Sequence, residues 1–144
     1  MAVNVIDRRE SKVEFDKTYF NVYDDAVNLI QNNFGADKKI REEKKNYIQV
    51  MSGQILRSVT DLGKYIRIAN SIYPKYKSEL EERRIHQDKA IGLCFDLLTK
   101  YQLIMTELKV PDNKYVQTIK NLDHEINCLK KWRESDHKRF SDLG

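Results

Sequence analysis

The chain has 144 residues, of which 33% are charged and 40% hydrophobic, with a mean hydropathy of −0.69. This length favours a single domain, and this balance argues against a disordered chain. The net charge of +4 is uneven, because residues 35–77 hold 10 basic and 4 acidic side chains. A basic segment of this kind favours a polyanionic partner.

The sequence is divided by three residues that interrupt helices. Gly35, Pro74 and Pro111 separate four segments, each long enough for a helix of many turns. Strand signals are missing, since no run of alternating β-branched residues and no Asn-Gly or Asp-Gly turn occurs. We therefore predict an all-α, up-down-up-down four-helix bundle over residues 12–140, preceded by a flexible segment of residues 1–11.

The first two segments each show one apolar helical face. In the first, the face is built from Phe20, Tyr23, Val27, Ile30 and Phe34, and Gly35 is the expected end. The second has the longest stripe, ending before Pro74. Its members are Ile48, Met51, Ile55, Val59, Leu62, Ile66, Ala69 and Tyr73.

The third segment is expected to be the most buried helix, because apolar residues widen its stripe. Ser78 and Glu81 have the spacing of a capping box. After Pro111, Asp112 or Asn113 is expected to cap the fourth helix. The stripes consist of Ile91, Cys94, Leu98, Tyr101, Met105 and Leu108 in the third helix, and of Tyr115, Ile119, Leu122, Ile126 and Leu129 in the fourth.

The sequence offers little for catalysis or metal binding. Cys94 and Cys128 lie in apolar patterns and are expected to be buried, reduced thiols. His124 and Cys128 could form half of a zinc site, but no second pair completes it. Glu134 and His137 give one Glu-x-x-His, where a di-iron bundle needs two. We predict no catalytic residue, no metal and no cofactor. The apolar runs are too short for a membrane span and no signal peptide is apparent, which predicts a cytoplasmic protein.

Basic residues of the second segment are the candidate nucleic-acid contacts. Arg57, Lys64 and Arg67 recur at helical spacing on one face, so they could meet successive phosphates. The same pattern is also typical of an ordinary solvated helix face. The full predicted set is Lys38, Lys39, Arg41, Lys44, Lys45, Arg57, Lys64 and Arg67.

Two further features leave alternatives open. Trp132 lies among basic residues and could stack on a base or, as we prefer, close the core. Gly53 and Gly63 interrupt the second helix, where they could allow close packing or a subunit contact, or simply be tolerated.

Three patches of the sequence resemble a known family. They are ANSIYP at residues 69–74, RRIHQDKAIG at 83–92 and WRESDHKRF at 132–140. Together, and in element order over about residues 13–140, they resemble the accessory variability determinants of diversity-generating retroelements. These belong to a four-helix-bundle family that includes proteins encoded in intervening sequences of 23S ribosomal RNA genes. The matching residues include Arg83, Arg84, Gln87, Asp88, Ala90, Gly92, Trp132, Ser135, Asp136, Lys138, Arg139 and Phe140.

The resemblance implies a non-enzymatic adaptor. It implies a homo-oligomer, a pentameric ring, that binds a reverse transcriptase and template-repeat RNA or an RNA–DNA hybrid in support of mutagenic retrohoming. Whether the matching residues touch partners or hold the bundle together does not follow from the pattern. The alternative function is a structural protein–protein interaction bundle without nucleic-acid binding.

Overall fold

The computed structural model describes residues 5–143 and the side chains of residues 17–143. Five α-helices account for most of this part of the chain, and no strand occurs in it. The helices are α1 (Val5–Gln31), α2 (Lys38–Glu43), α3 (Lys45–Ser71), α4 (Lys77–Glu107) and α5 (Val116–Arg139), with 3₁₀ turns at Asn33–Gly35 and Asp112–Tyr115. The predicted all-α class is confirmed. None of the described helices is long and apolar enough to cross a membrane.

The four long helices pack against one another around one core. α3 packs on α4, α4 on α5, and α1 on both α5 and α3. The predicted stripe of α3 is confirmed, because every member from Ile48 to Ala69 is buried and only Tyr73, beyond the helix end, is partly exposed. The core of α4 and α5 is built mainly from Ala90, Ile91, Cys94, Leu97, Tyr101, Ile104, Leu122, Ile126, Leu129 and Trp132.

The predicted stripe of α1 is right in part. Phe34 is buried, Tyr23 and Ile30 pack against the core with partial exposure, and Phe20 is exposed. Among the described side chains of α1, the buried ones are Thr18, Val22 and Ala26, which the stripe omitted. α1 lies close to α3, since a Cβ added to Gly63 would lie 2.5 Å from the Tyr19 ring. The predicted flexible segment of residues 1–11 falls outside the described side chains; the described part of α1 begins at Val5.

The turn after α1 explains the need for Gly35. Phe34 and Gly35 both have positive φ values, 58° and 82°, a region that glycine adopts at little cost. The Phe34 ring is fully buried, and the Tyr115 hydroxyl donates a hydrogen bond of 2.8 Å to the Phe34 carbonyl. This contact ties the end of α1 to the start of α5.

Two predicted helix starts differ from the structure. Glu79, rather than Glu81, closes the start of α4, where its carboxylate accepts hydrogen bonds of 3.0 Å from the backbone N–H groups of Lys75 and Tyr76. Neither Asp112 nor Asn113 caps α5, because both belong to the 3₁₀ turn that precedes it. In each case the polar residue that sequence spacing favours lies away from the true helix start.

Candidate nucleic-acid interface

The outer face of α3 carries a row of cations. Arg57, Lys64 and Arg67 are exposed, and none of them forms an ion pair with any acid in the described part of the chain. Because an α-helix rises 1.5 Å per residue, Arg57 and Lys64 lie about 10 Å apart along the axis, and Arg67 lies about 5 Å further. We call these three residues the α3 cation row.

Beside this row, α3 and α4 enclose an open groove of about 680 Å³. The groove is lined by Arg57 of α3, by Lys89 and Lys100 of α4, and by the acids Asp61 and Asp96. Asp96 is engaged within the groove, since Lys100 Nζ lies 2.8 Å from its carboxylate. The acids moderate the positive charge of the groove, which leaves the α3 cation row as its more basic border.

The groove is also lined by an aromatic side chain that basic groups surround. The Tyr65 ring stacks on His86 with centroids 5.9 Å apart and an interplanar angle of 17°. The ammonium groups of Lys64 and Lys89 lie 5.0 and 5.3 Å from the same ring centroid. The partly exposed Tyr65 thus connects the α3 cation row to the basic side of α4.

The other predicted basic cluster is divided by the structure. Lys38, Lys39 and Arg41 lie on the separate short helix α2, and Lys45 begins α3, so the cluster is not the first turn of one continuous helix. These four side chains are exposed. The Arg41 guanidinium donates a hydrogen bond of 2.7 Å to the Ala36 carbonyl.

Among the predicted nucleic-acid contacts, Lys44 forms an ion pair within the chain. Its ammonium lies 2.8 Å from a Glu107 carboxylate oxygen at the end of α4. The hydrogen bond and the charge of Glu107 raise the pKa of Lys44. A lysine held in this way is less available to a phosphate, so Lys44 is the weakest member of the predicted set.

Several residues of the family-like patches meet in a buried clasp. Arg83 and Asp136 form two parallel hydrogen bonds, with Arg83 Nε 2.7 Å from Oδ2 and Nη2 3.0 Å from Oδ1. The Gln87 amide donates to Oδ2 at 2.7 Å, and Arg83 Nη1 donates to the Ile72 carbonyl at 2.8 Å. The guanidinium also lies over the Trp132 ring at 5.0 Å.

This clasp ties the end of α3, the start of α4 and the end of α5 together. Arg83, Gln87, Trp132 and Asp136 are all buried, so they are closed to a partner macromolecule in this structure. Trp132 is therefore a core residue, as preferred from the sequence. The aromatic pair Tyr73 and Phe140, with centroids 5.6 Å apart, also joins the segment after α3 to the end of α5.

Of the remaining family-like residues, Ala90 and Phe140 are buried, whereas the charged ones are exposed. Asp88 forms an ion pair of 2.6 Å with Arg133, and Lys138 lies 3.8 Å from Glu134. Arg84 and Arg139 are exposed, and the Arg139 guanidinium lies 5.3 Å from the Phe140 ring centroid. The patches thus divide into a buried clasp and an exposed charged rim.

Within residues 17–143, the reactive side chains do not converge on one site. Burial raises the pKa of the Cys94 thiol, which keeps it protonated and a poor nucleophile. Cys128 is partly exposed, with its sulfur 3.7 Å from His124 Nε2 on the same helix. No group of three or more His, Cys, Asp or Glu side chains that could hold a metal ion occurs among the described residues.

Glu125 is one of the buried polar residues that the sequence interpretation missed. Its side chain is fully buried, and burial raises its pKa to about 7. A signal was present in the sequence, because Glu125 is three residues from Leu122 and four from Leu129, on the apolar stripe of α5. The same spacing, continued back from Ala90, places Gln87 and Arg83 on the stripe of α4.

Comparison of the chain with protein-family models, with curated proteins and with solved structures found no match.

Proposed function

We propose that the chain is a non-enzymatic accessory protein of a diversity-generating retroelement. It binds the reverse transcriptase together with template-repeat RNA or an RNA–DNA hybrid, and supports mutagenic retrohoming in the cytoplasm. The α3 cation row is the observation that carries this proposal. It presents three exposed guanidinium and ammonium groups, none of them in an ion pair with a described acid, along one helix face. Such a row attracts a phosphate backbone, and its binding would weaken with salt.

An up-down-up-down bundle is the topology that fits the contacts best. Lys44 meets Glu107 and Ile72 meets Arg83, so successive contacts of α3 and α4 run in opposite chain directions. The pairs Arg83–Asp136 and Tyr101–Tyr115 repeat this order between α4 and α5. The pairs Asn121–Asp25 and Tyr115–Phe34 repeat it between α5 and α1. This arrangement supports the bundle expected from the resemblance.

Assembly into a homo-oligomer, a pentamer in the resembled family, is part of the proposal. The outward side of α4 exposes the apolar side chains Ile85, Phe95 and Leu103, and Gly92 lies beside them with no atom near its missing side chain. Ile85, Gly92 and Leu103 are separated by 7 and 11 residues, which places them on one stripe of the helix. An exposed apolar stripe of this kind is typical of an association surface.

The proposal is tested by reconstitution. The purified chain is mixed with template-repeat RNA and with the reverse transcriptase encoded beside its gene, and the complex is followed by size-exclusion chromatography. We expect a ternary complex, and we expect the Arg57→Ala/Lys64→Ala/Arg67→Ala variant to lose the RNA while its helical content stays unchanged. If this variant retains RNA at wild-type affinity, the α3 cation row does not bind the RNA.

A structural protein–protein interaction bundle is the second candidate. The same exposed stripe of Ile85, Phe95 and Leu103 favours it, because an apolar surface binds protein rather than phosphate. The two candidates differ in their gene neighbourhood. A reverse transcriptase gene with a template/variable repeat pair beside this one supports the retroelement function, and its absence together with undetectable RNA binding supports the alternative.

A further inference from the structure

Glu125 places an acid in the middle of an apolar core. Its side chain is 0% exposed, and among the described residues the Thr18 hydroxyl of α1 is the group that hydrogen-bonds towards it. Leu122, Ile126 and Leu129 of the same helix are buried around it. An ionised carboxylate whose partner is one neutral hydroxyl is costly to bury, so the site favours the neutral carboxylic acid.

Among the described residues, the groups that face Glu125 offer no compensating positive charge. From α1, the Thr18 hydroxyl hydrogen-bonds towards it and lowers its pKa, against the larger effect of burial. Burial is the main cause that raises the pKa of Tyr19 on α1 and of Cys94 on α4, and the charge of Glu125 raises both further. From α3, the Arg67 guanidinium opposes the burial that raises the pKa of Tyr19. No described cation shifts the pKa of Glu125.

Helix α1 is the element whose Thr18 side chain hydrogen-bonds to Glu125. In the described part of α1, Thr18, Val22 and Ala26 are buried, and Tyr19, Tyr23, Leu29 and Ile30 pack against the core with partial exposure. Polar contacts hold α1 at Tyr19, whose hydroxyl donates to the Val59 carbonyl at 2.8 Å, and at Asp25, which accepts from Asn121 at 2.7 Å. Its end is fixed more firmly through the buried Phe34.

We propose that Glu125 is a proton-controlled latch on α1. When the carboxyl group is protonated, the part of α1 around Thr18–Val22 packs on α5 and α3. When it ionises, this part opens and admits water to the carboxylate, while the segment near Phe34 and the α3–α4 pair stay folded. Opening would uncover the buried faces of α3 and α5 near Val59 and Glu125, and so couple the exposure of this surface to pH.

The sign of the effect follows from linkage. The closed state binds its proton up to about pH 7, whereas an open, hydrated glutamate releases it near its ordinary value of 4.5. Opening therefore becomes about tenfold easier per pH unit between these two values and levels off above about pH 7. The total change is on the order of 100-fold.

The test is amide hydrogen exchange of the full chain between pH 5 and 8, corrected for intrinsic exchange rates. We expect protection of the Thr18–Ala26 amides to fall with rising pH and reach a plateau, while the α3 and α4 amides keep theirs. In Glu125→Gln, the fall should disappear. If all helices lose protection together, or if the variant shows the same pH dependence, the latch is wrong.

Two more variants keep the test decisive if Glu125→Gln fails to fold. Glu125→Leu has no titratable group and should also show pH-independent protection of α1. Thr18→Val removes the hydroxyl that lowers the pKa of Glu125, so the plateau should begin at a higher pH than in the wild type. A plateau that stays in place or moves to lower pH would overturn the proposal.

Discussion

Arg83 and Asp136 are charged side chains that the chain has buried at one end of its core. Their exposed fractions are 5% and 2%, and Gln87 and the Ile72 carbonyl complete their hydrogen bonds. Removing two charges from water is costly, but two parallel bonds and further polar partners offset much of that cost. The family-like residues of this clasp thus have a structural role, which sequence alone left open.

At this scale we predict that Asp136→Asn destabilises the fold by about 3–5 kcal/mol, because it leaves the buried Arg83 guanidinium without its counter-ion. Urea denaturation followed by circular dichroism measures the change. Asp88→Asn is the matched control: it breaks an ion pair whose side chains are 49% and 33% exposed, so it should cost less than about 1 kcal/mol. Equal losses in the two variants would contradict a structural clasp.

Among the elements, α3 was the easiest to predict and α1 the hardest. The stripe of α3 is long and regular, so its period alone identifies the buried face from Ile48 to Ala69. In α1, the buried positions are Thr18, Val22 and Ala26, while Phe20 of the predicted stripe is exposed. The face that α1 turns to the core depends on the partner helices, which local sequence does not specify.

The candidate interface was predictable to a similar degree. Helical spacing identified the α3 cation row, whose side chains are exposed as expected. It could not identify the pairing of Lys44 with Glu107, which are 63 residues apart, or the groove that Lys89 and Lys100 form with Arg57. These features arise where two helices meet, and only their packing brings the residues together.

The close packing of α1 on α3 leads to a prediction for Gly63. In Gly63→Ala, the added methyl group would meet the Tyr19 ring and disturb its hydrogen bond to the Val59 carbonyl. We expect a loss of about 1–3 kcal/mol in the free energy of unfolding, as for other overpacked positions. Gly53→Ala on the same helix meets no atom within 4 Å and should stabilise by up to about 1 kcal/mol. A neutral Gly63→Ala would contradict the packing.

The two candidate binding surfaces of the molecule lie on different helices. The α3 cation row and the apolar stripe of α4 border the same groove, since Arg57 and Gly92 both line it. A nucleic acid on the first surface and a second subunit on the second would therefore lie next to each other. Assembly would repeat the α3 cation row once per subunit and multiply the charge presented to one polyanion.

Oligomer formation is predicted to depend on the α4 stripe. Phe95→Asp and Leu103→Asp each place a charge on an exposed apolar position, 48% and 57% exposed, so neither should unfold the chain. We expect each variant to lower the mass measured by analytical ultracentrifugation. Val116→Asp, which changes an equally exposed apolar residue at the start of α5, is the control and should leave the mass unchanged. An unaltered mass in both α4 variants would show that the subunit contact lies on another surface.

The central claim is that the α3 cation row binds the phosphates of a nucleic acid, and the salt dependence of RNA binding tests it most directly. The slope of log K against log salt should shrink by about 2 in Arg57→Ala/Lys64→Ala/Arg67→Ala, because each phosphate contact on a single strand contributes about 0.7. The control Lys120→Ala/Lys130→Ala/Lys131→Ala removes the same charge from exposed positions on α5 and should keep the wild-type slope. Equal slopes in all three proteins would contradict the claim.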